Sequence, residues 1–363
     1  MEYYIGLDVS QKQTSICIVD EKGKVIAEGK ALTIPSDIHG WISKQNGIEP
    51  QMIKQVGLET GAMSNWLYTE LQKLGLPMIC LETWQAHRFL KTCRNKTDKN
   101  DARGLAQLVR MGGEFIQPVI VRTQTNQELR TLLTLRQSLV GQKINLENNI
   151  SGCLKPFGLI VPRGGVKSST FEERVYEAVR KGEDRGIHLR DAMTASLKAY
   201  DQICQQVAQL SKQIEAAVKK NPICRRLMTA PGVGPVIALS FMTAMDSPKR
   251  FSTDDDIGAY FGLTPKQYQS GETDIRTGIS KMGNSMTRSH LVQAATVILI
   301  KCKKWSSLRS WGMKIAKRRG FQKARIAVAR KLAIILHRMW IHETDFRWGN
   351  AADKELAAVM AAA

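Results

Sequence analysis

Tyr4-Ile5-Gly6-Leu7-Asp8-Val9, Thr14-Ser15-Ile16-Cys17-Ile18-Val19 and Val25-Ile26-Ala27 are three short apolar runs, the first ending on an acid. Asp20-Glu21-Lys22-Gly23 separates the second from the third with turn residues. Strand, turn, strand, turn, strand predicts a meander. A helical pattern follows from Ile38 to Lys44. Val56-Gly57-Leu58-Glu59-Thr60 is then another short strand, again ending on an acid. A helix through Trp66 to Leu74 and a strand from Met78 to Leu81 complete the pattern. The predicted order is βββ-α-β-α-β-α, with Asp8 and Glu59 at strand ends.

Further on, Lys96-Thr97-Asp98-Lys99-Asn100-Asp101-Ala102-Arg103 sets two carboxylates three residues apart in basic sequence. On a helix, positions i and i+3 share a face, so Asp98 and Asp101 point the same way. Carboxylates in a basic field suit a magnesium site acting on phosphate, with Lys96, Lys99 and Arg103 holding the polyanion. The same residues also suit a solvated helix face laced with charge pairs.

Lys and Arg total 53 against 33 Asp and Glu in 363 residues, a net charge of +20. That balance points to a polyanionic partner. No apolar run reaches the ~18 residues of a membrane span. Met1-Glu2-Tyr3-Tyr4 lacks the basic and apolar segments of a signal peptide. Seven scattered cysteines without a C-x-x-C pair read as reduced cytosolic thiols, with no disulfide frame or zinc site. Nucleic acid is therefore the expected partner, and no membrane is.

From Gln124 the periodicity changes. Leu132, Leu139 and Leu146 recur every seven residues, with Leu129, Leu135 and Ile150 on neighbouring faces; later Tyr200, Val207 and Ile214 interleave with Ile203, Leu210 and Ala217. Between them lie a Gly- and Pro-rich stretch, Lys155 to Thr170, and a charged helical segment, Glu172 to Leu197. This predicts a helical hairpin or antiparallel coiled coil able to pair with a second copy, or else core helices of a larger domain.

Met228-Thr229-Ala230-Pro231-Gly232-Val233-Gly234-Pro235 looks like a helix-hairpin-helix turn. There Gly232 and Gly234 expose backbone N–H groups to a DNA phosphate, or simply make a tight αα turn. Ser270 precedes Gly271, with Arg276, Lys281 and Arg288 following. A serine so placed is a turn residue, or a nucleophile if a base or cationic field activates it. Between Asp274 and Glu343 there is no acid at all. Lys317, Arg318, Arg319, Lys323 and Arg325 lie there with Arg330, Lys331 and Arg338, and Trp305 and Trp311 interleave with the cations. Ile326, Ala329, Leu332, Ala333 and Leu336 supply a core face, which predicts outward cations on a phosphate-contacting surface. The alanine-rich tail from Asn350 reads as a frayed helix.

The N-terminal order resembles the ribonuclease H-like fold, which carries metal carboxylates at its first and fourth strand ends and on a late helix. Gly6-Leu7-Asp8-Val9-Ser10 also resembles a phosphate loop of actin-like sugar kinases, but the further glycine-rich loops of that fold do not follow. Taken together, Gly6-Leu7-Asp8, Leu58-Glu59-Thr60, Lys96-Thr97-Asp98 with Asp101-Ala102, Pro231-Gly232-Val233-Gly234, Gly262-Leu263-Thr264-Pro265, Ser270-Gly271 and Lys281-Met282-Gly283-Asn284 resemble the DEDD transposases of bacterial insertion sequences, the insertion sequence 110 family of bridge-RNA-guided recombinases. The likeness runs over most of the chain, and its middle matches only in helical character.

The resemblance implies an α/β plus α architecture: a RuvC-like metal-binding domain at 1–123, a helical coiled-coil region at 124–220, a mainly helical transposase domain at 221–345 and a tail at 346–363. It implies Mg2+ on Asp8, Glu59, Asp98 and Asp101, with Ser270 forming a covalent phosphoserine link to DNA. It further implies a homo-oligomer, dimer or tetramer, with a non-coding guide RNA that pairs with donor and target DNA, in the bacterial cytoplasm and on the nucleoid when active. A metal-dependent nuclease or junction resolvase without serine chemistry, and a nucleic-acid scaffold with structural acids, are the rival expectations.

Overall fold

The predicted meander forms β1 (Tyr3–Val9), β2 (Gln13–Asp20) and β3 (Val25–Leu32), paired antiparallel in that order. The buried Asp20 carboxylate closes the second turn by accepting from the Lys22 and Lys24 amides, each at 2.9 Å. Helix α1 (Pro35–Ser43) leads to β4 (Ile53–Glu59), parallel to β1, and α2 (Ser64–Lys73) leads to β5 (Met78–Leu81), parallel to β4. Spatial order is β3-β2-β1-β4-β5. Two further helices follow, α3 (Thr83–Leu90) and α4 (Asp98–Met111). This computed structural model describes residues 1–91, 95–112, 116, 118–162, 170–251, 253–270 and 273–348; Gly271 and the tail from Asn350 lie outside them. The chain divides into two compact units, Met1–Thr123 and Gln124–Ala363.

The period of two sorts the sheet's side chains between its faces. Ile5, Leu7, Ile16, Ile18, Val56 and Leu58 pack on Ile38, Ile42, Leu67 and Leu71 of α1 and α2. The other face carries Gly6, Cys17, Gly57, Ile79 and Leu81 towards α3 and α4. Gly6 and Gly57 are register partners on adjacent strands. A methyl group at Gly6 would lie 2.3 Å from the Ala102 carbonyl oxygen and the Ala106 nitrogen, and one at Gly57 would lie 2.2 Å from a Val109 methyl. Helix α4 therefore rests its own backbone on bare strand, an approach that only glycine permits. The same contact gives Gly6 a packing role in place of the phosphate loop of the kinase comparison.

In the second unit, α5 (Gln124–Leu154) and α7 (Arg190–Lys220) form the helical hairpin. Tyr200 donates to Glu147 at 2.6 Å and Arg136 donates to Ser211 at 2.8 Å. Partner numbers fall on one helix as they rise on the other, so the pair is antiparallel. Helix α6 (Phe171–Glu183), begun by a Thr170–Glu173 capping box, closes the far end with Ile150, Leu154, Val175, Val179, Met193 and Leu197. The charged segment expected as one helix is thus broken at residues 184–189. At the other end Leu133, Ile214 and Val218 join the large core of the following helices. Leu135, expected near the seam, is exposed.

That large core is built by α8 (Pro222–Leu227), α9 (Pro235–Met245), α10 (Asp254–Tyr260), α11 (Ser285–Ile300), α12 (Ser307–Arg319) and α13 (Phe321–Ile341). An antiparallel hairpin, β6 (Pro265–Ser270) and β7 (Thr273–Ile279), projects between α10 and α11. Among the described residues no helix is long and apolar enough to cross a membrane.

Two stability tests follow from this packing. Gly6→Ala and Gly57→Ala each lower stability by roughly 1–3 kcal/mol through overpacking. Gly40→Ala, inside α1 where an added methyl meets nothing, raises it by up to about 1 kcal/mol; chemical denaturation compares them. The second concerns His290 of α11, which is buried with an unpartnered Nδ1. Burial, with the Arg136 charge adding to it, pushes the imidazole down from 6.5 to about 4. The unfolded chain binds that proton first, so this contribution is complete above about pH 6.5 and is lost as pH falls to about 4. His290→Leu removes that part of the acid sensitivity, read as denaturant midpoints that vary less across this window.

Candidate active site

Two residues beyond the paired glycines, β1 and β4 present Asp8 and Glu59 on the face that α4 covers. Helix α4 begins there. Thr97 caps it by accepting from the Asn100 amide at 3.2 Å, and its first turn carries Asp98 and Asp101. Asp8 feels the other three. Burial, then the charges of Asp101, Asp98 and Glu59, push the Asp8 carboxyl up to about 6, with Lys96 opposing. Glu59 is raised by burial, against a hydrogen bond from Thr83 and the His87 charge. An open cleft of about 360 Å³ runs along Asp8, Ser10, Gln11, Glu59 and Thr60. Asp98 accepts from Lys30 Nζ at 3.0 Å. Among the described residues no three His, Cys, Asp or Glu side chains are gathered closely enough to hold an ion. By chemistry the set suits a hard divalent cation: every donor is a carboxylate oxygen, and their mutual repulsion is what a cation relieves.

Lys99 and Arg103, expected at the polyanion, are instead paired within the fold. Lys99 Nζ lies 3.0 Å from Glu28, and Arg103 grips the same carboxylate through Nε and, at 2.8 Å, Nη2. The Arg103 hydrogen bonds, followed by those of Lys99, hold Glu28 down at about 2. These pairs fasten α4 to β3, because Glu28 and Lys30 alternate onto the face where α4 lies. Lys96 remains exposed. Glu28, Lys30, Thr83 and His87 carry no motif; only strand alternation could have drawn attention to the first two.

In the second unit, Ser270 is the last residue of β6, exposed and paired in register with Thr273. Strand β6 buries no residue. Its base is tightly made. The Ser280 amide donates to Thr264 and the Lys281 amide to Gly262. Gly262 and Gly283 take φ of +63° and +70°, where methyl groups would meet the Met282 and Tyr260 carbonyls at 2.3 and 2.1 Å. Arg288 Nη1 donates to both Phe261 and Met282, at 3.1 and 2.8 Å. Arg288 therefore ties the two ends of the hairpin together, a role different from the phosphate contact expected of it. Lys281 is exposed; Arg276 pairs in register with Gln267, and its side chain lies outside the described residues.

Gly232 also has a packing reason, since a methyl there would lie 2.6 Å from the Ala294 carbonyl on α11. Gly234 caps α9 with open space beside it. The basic run is not uniformly outward as expected. Arg330 and Arg338 pair with Asp255 and Asp254 of α10, each at 2.6 Å, and Lys331 is buried. Lys317, Arg318, Arg319 and Lys323 form an exposed corner between α12 and α13, with Arg325 half-buried beside them.

Comparison with known proteins bears on this arrangement. Residues 5–158 match a transposase family model of the DEDD, IS110 type, and residues 224–310 match the model for the transposase IS116/IS110/IS902 family. The chain is 27% identical over 355 residues to the transposase for insertion sequence element IS1111A of Coxiella burnetii, covering 95% of this chain and 91% of that one. It is 26% identical over 245 residues to the transposase for IS1328 of Yersinia enterocolitica, with 67% and 70% covered. The pilin gene-inverting protein of Moraxella bovis is 21% identical over 308 residues, with 81% and 82% covered. Among solved structures, a likeness to the (R)-2-hydroxyglutaryl-CoA dehydratase component A of Acidaminococcus fermentans covers 59% of this chain and 79% of that one, with 11% identity; its TM-score of 0.21 carries no argument about fold. Two models of one family match in chain order, and relatives align over most of their own length. The chain therefore belongs to the IS110 family of transposases, enzymes of DNA recombination.

Proposed function

We propose that this transposase cuts and rejoins DNA through a serine–phosphate intermediate formed by Ser270 and assisted by a divalent cation on Asp8, Glu59, Asp98 and Asp101. The carrying observation is geometric: Asp8 and Glu59 lie at the ends of the adjacent parallel strands β1 and β4, on the face covered by α4, whose first turn bears Asp98 and Asp101. The first unit is read as ribonuclease H-like (RuvC-like), which its strand order and the positions of these acids support. The second is read as a helical coiled-coil region to residue 220 and a transposase domain beyond it. Magnesium held by the four carboxylates would supply charge stabilisation at the entering and leaving oxygens.

Asp8 and Glu59 at the strand ends and Asp98 and Asp101 on α4 would hold that ion. Ser270, at the end of an exposed arm with a fixed base, attacks phosphorus. The Oγ–P bond forms as the bond from phosphorus to one deoxyribose oxygen breaks. The serine proton passes to solvent or a nearby base, and the leaving oxygen gains one. Attack by a hydroxyl of another strand reverses the step, restoring serine and joining DNA. A relative named for inverting a pilin gene is consistent with such cutting and rejoining. Guidance by a non-coding RNA pairing with donor and target DNA, and assembly as a dimer or tetramer, belong to the same reading. The basic corner of α12 and α13 then holds the nucleic-acid backbone.

The rival is a metal-dependent nuclease with water as nucleophile, favoured by the fact that all four acids lie within one unit. Trapping a protein–DNA adduct separates them. Wild type gives it and Ser270→Ala does not, whereas normal recombination by Ser270→Ala excludes serine chemistry. Asp98→Ala abolishes recombination with nucleic-acid binding kept; retained recombination removes the metal reading. Lys317→Ala and Arg318→Ala each weaken binding across sequences and reduce the salt slope by about one, measured by titrating affinity against salt.

A further inference from the structure

Packing does not account for the aromatic residue in the first turn of α3. Helix α3 starts where β5 ends, and its first residue is lashed to the end of β4. Thr83 Oγ1 donates to the Thr60 carbonyl at 2.9 Å, and the Thr83 amide donates to Thr60 Oγ1 at 3.2 Å. Thr60, which holds Thr83 in this way, directly follows Glu59 in the chain. Trp84 comes next, 50% exposed. Arg88, one turn on, stacks its guanidinium over the indole, 3.6 Å from the ring centroid. The inward side of α3 is filled by Ala86, which is buried with Leu105 and Leu108 of α4. The outward side is thus an indole fixed by a cation, next to a residue bonded to Thr60, the neighbour of Glu59.

We propose that Trp84 and Arg88 form a nucleobase-stacking platform for the DNA strand whose phosphate reaches the carboxylates. Every base has a π-face that an indole accepts, so such a platform holds a nucleotide whatever its identity. Arg88 both orients the ring and offers N–H donors to that nucleotide's phosphate. The basic groups of α3, His87 and Arg88 in its last turn and Lys91 after it, complement the strand and offset the repulsion that the acids exert on it. The platform settles the register of the strand relative to the acids. The proposal rests on the reading of those acids as the cleavage site.

Its test uses the full chain with a single-stranded DNA oligonucleotide carrying iododeoxyuridine, in calcium so that binding proceeds without turnover. Irradiation is expected to label the peptide containing Trp84. Trp84→Ala is expected to bind the same oligonucleotide about tenfold more weakly, within the range for loss of one stacked base. Trp84→Phe retains most of the affinity, and thermal melting unchanged in Trp84→Ala shows that the half-exposed site is not a folding element. Wild-type affinity in Trp84→Ala, labelling at other peptides only, or labelling only by an iodouridine RNA of the same sequence overturns the proposal. Asp8→Asn abolishes strand cleavage whichever way the stacking test falls. Persistence of cleavage in that variant counts against the carboxylate reading, while the binding result judges the platform.

Discussion

Two hydrogen atoms on neighbouring strands stand in for side chains at Gly6, where α4 lays its backbone directly on the sheet, and at Gly57, where it seats a Val109 methyl. Its first turn, with Asp98 and Asp101, then reaches the strand ends that bear Asp8 and Glu59. With larger residues at either glycine, the helix would ride higher and its acids would move away from the other two. The close approach is fastened at the side by Glu28, which holds both Lys99 and Arg103. The same cations look like phosphate ligands when only their spacing is known. In the fold they neutralise one carboxylate, Glu28, on the neighbouring strand.

This end of the sheet is costly in electrostatic terms at Asp8, which is raised first by burial and then by the charges of Asp101, Asp98 and Glu59. The second unit balances the account differently. Its long acid-free run is partly drawn inward, where Asp254 and Asp255 of α10 hold Arg338 and Arg330. Lys301, Lys303, Lys304 and Lys314 stay exposed along with the corner of α12 and α13, so the run is thinned rather than uniformly outward.

Ser270 sits on an element of the opposite character. A two-stranded hairpin whose β6 strand buries nothing has little to hold it by burial. Its order comes from the base, where Arg288 and the turn glycines join the residues flanking the two strands. A residue carried this way is exposed yet anchored, which suits a group that must meet a large substrate.

The sequence by itself determined the order of strands and helices in the first unit, the acids at strand ends and the helical face shared by Asp98 and Asp101. Burial patterns with periods of two and 3.6 are local, and strand ends and caps are written in a few adjacent residues. It also carried the family motifs and the presence of a long helical pair. Only the tertiary structure decided which glycines serve packing, since the atoms that crowd Gly6, Gly57 and Gly232 come from distant segments. It alone decided which cations are already paired: Glu28 lies 75 residues before Arg103, and Asp254 lies 84 before Arg338. The hairpin bearing Ser270 escaped the sequence for a related reason. A strand exposed on both faces has no apolar alternation to read, so its geometry is set by contacts at its ends.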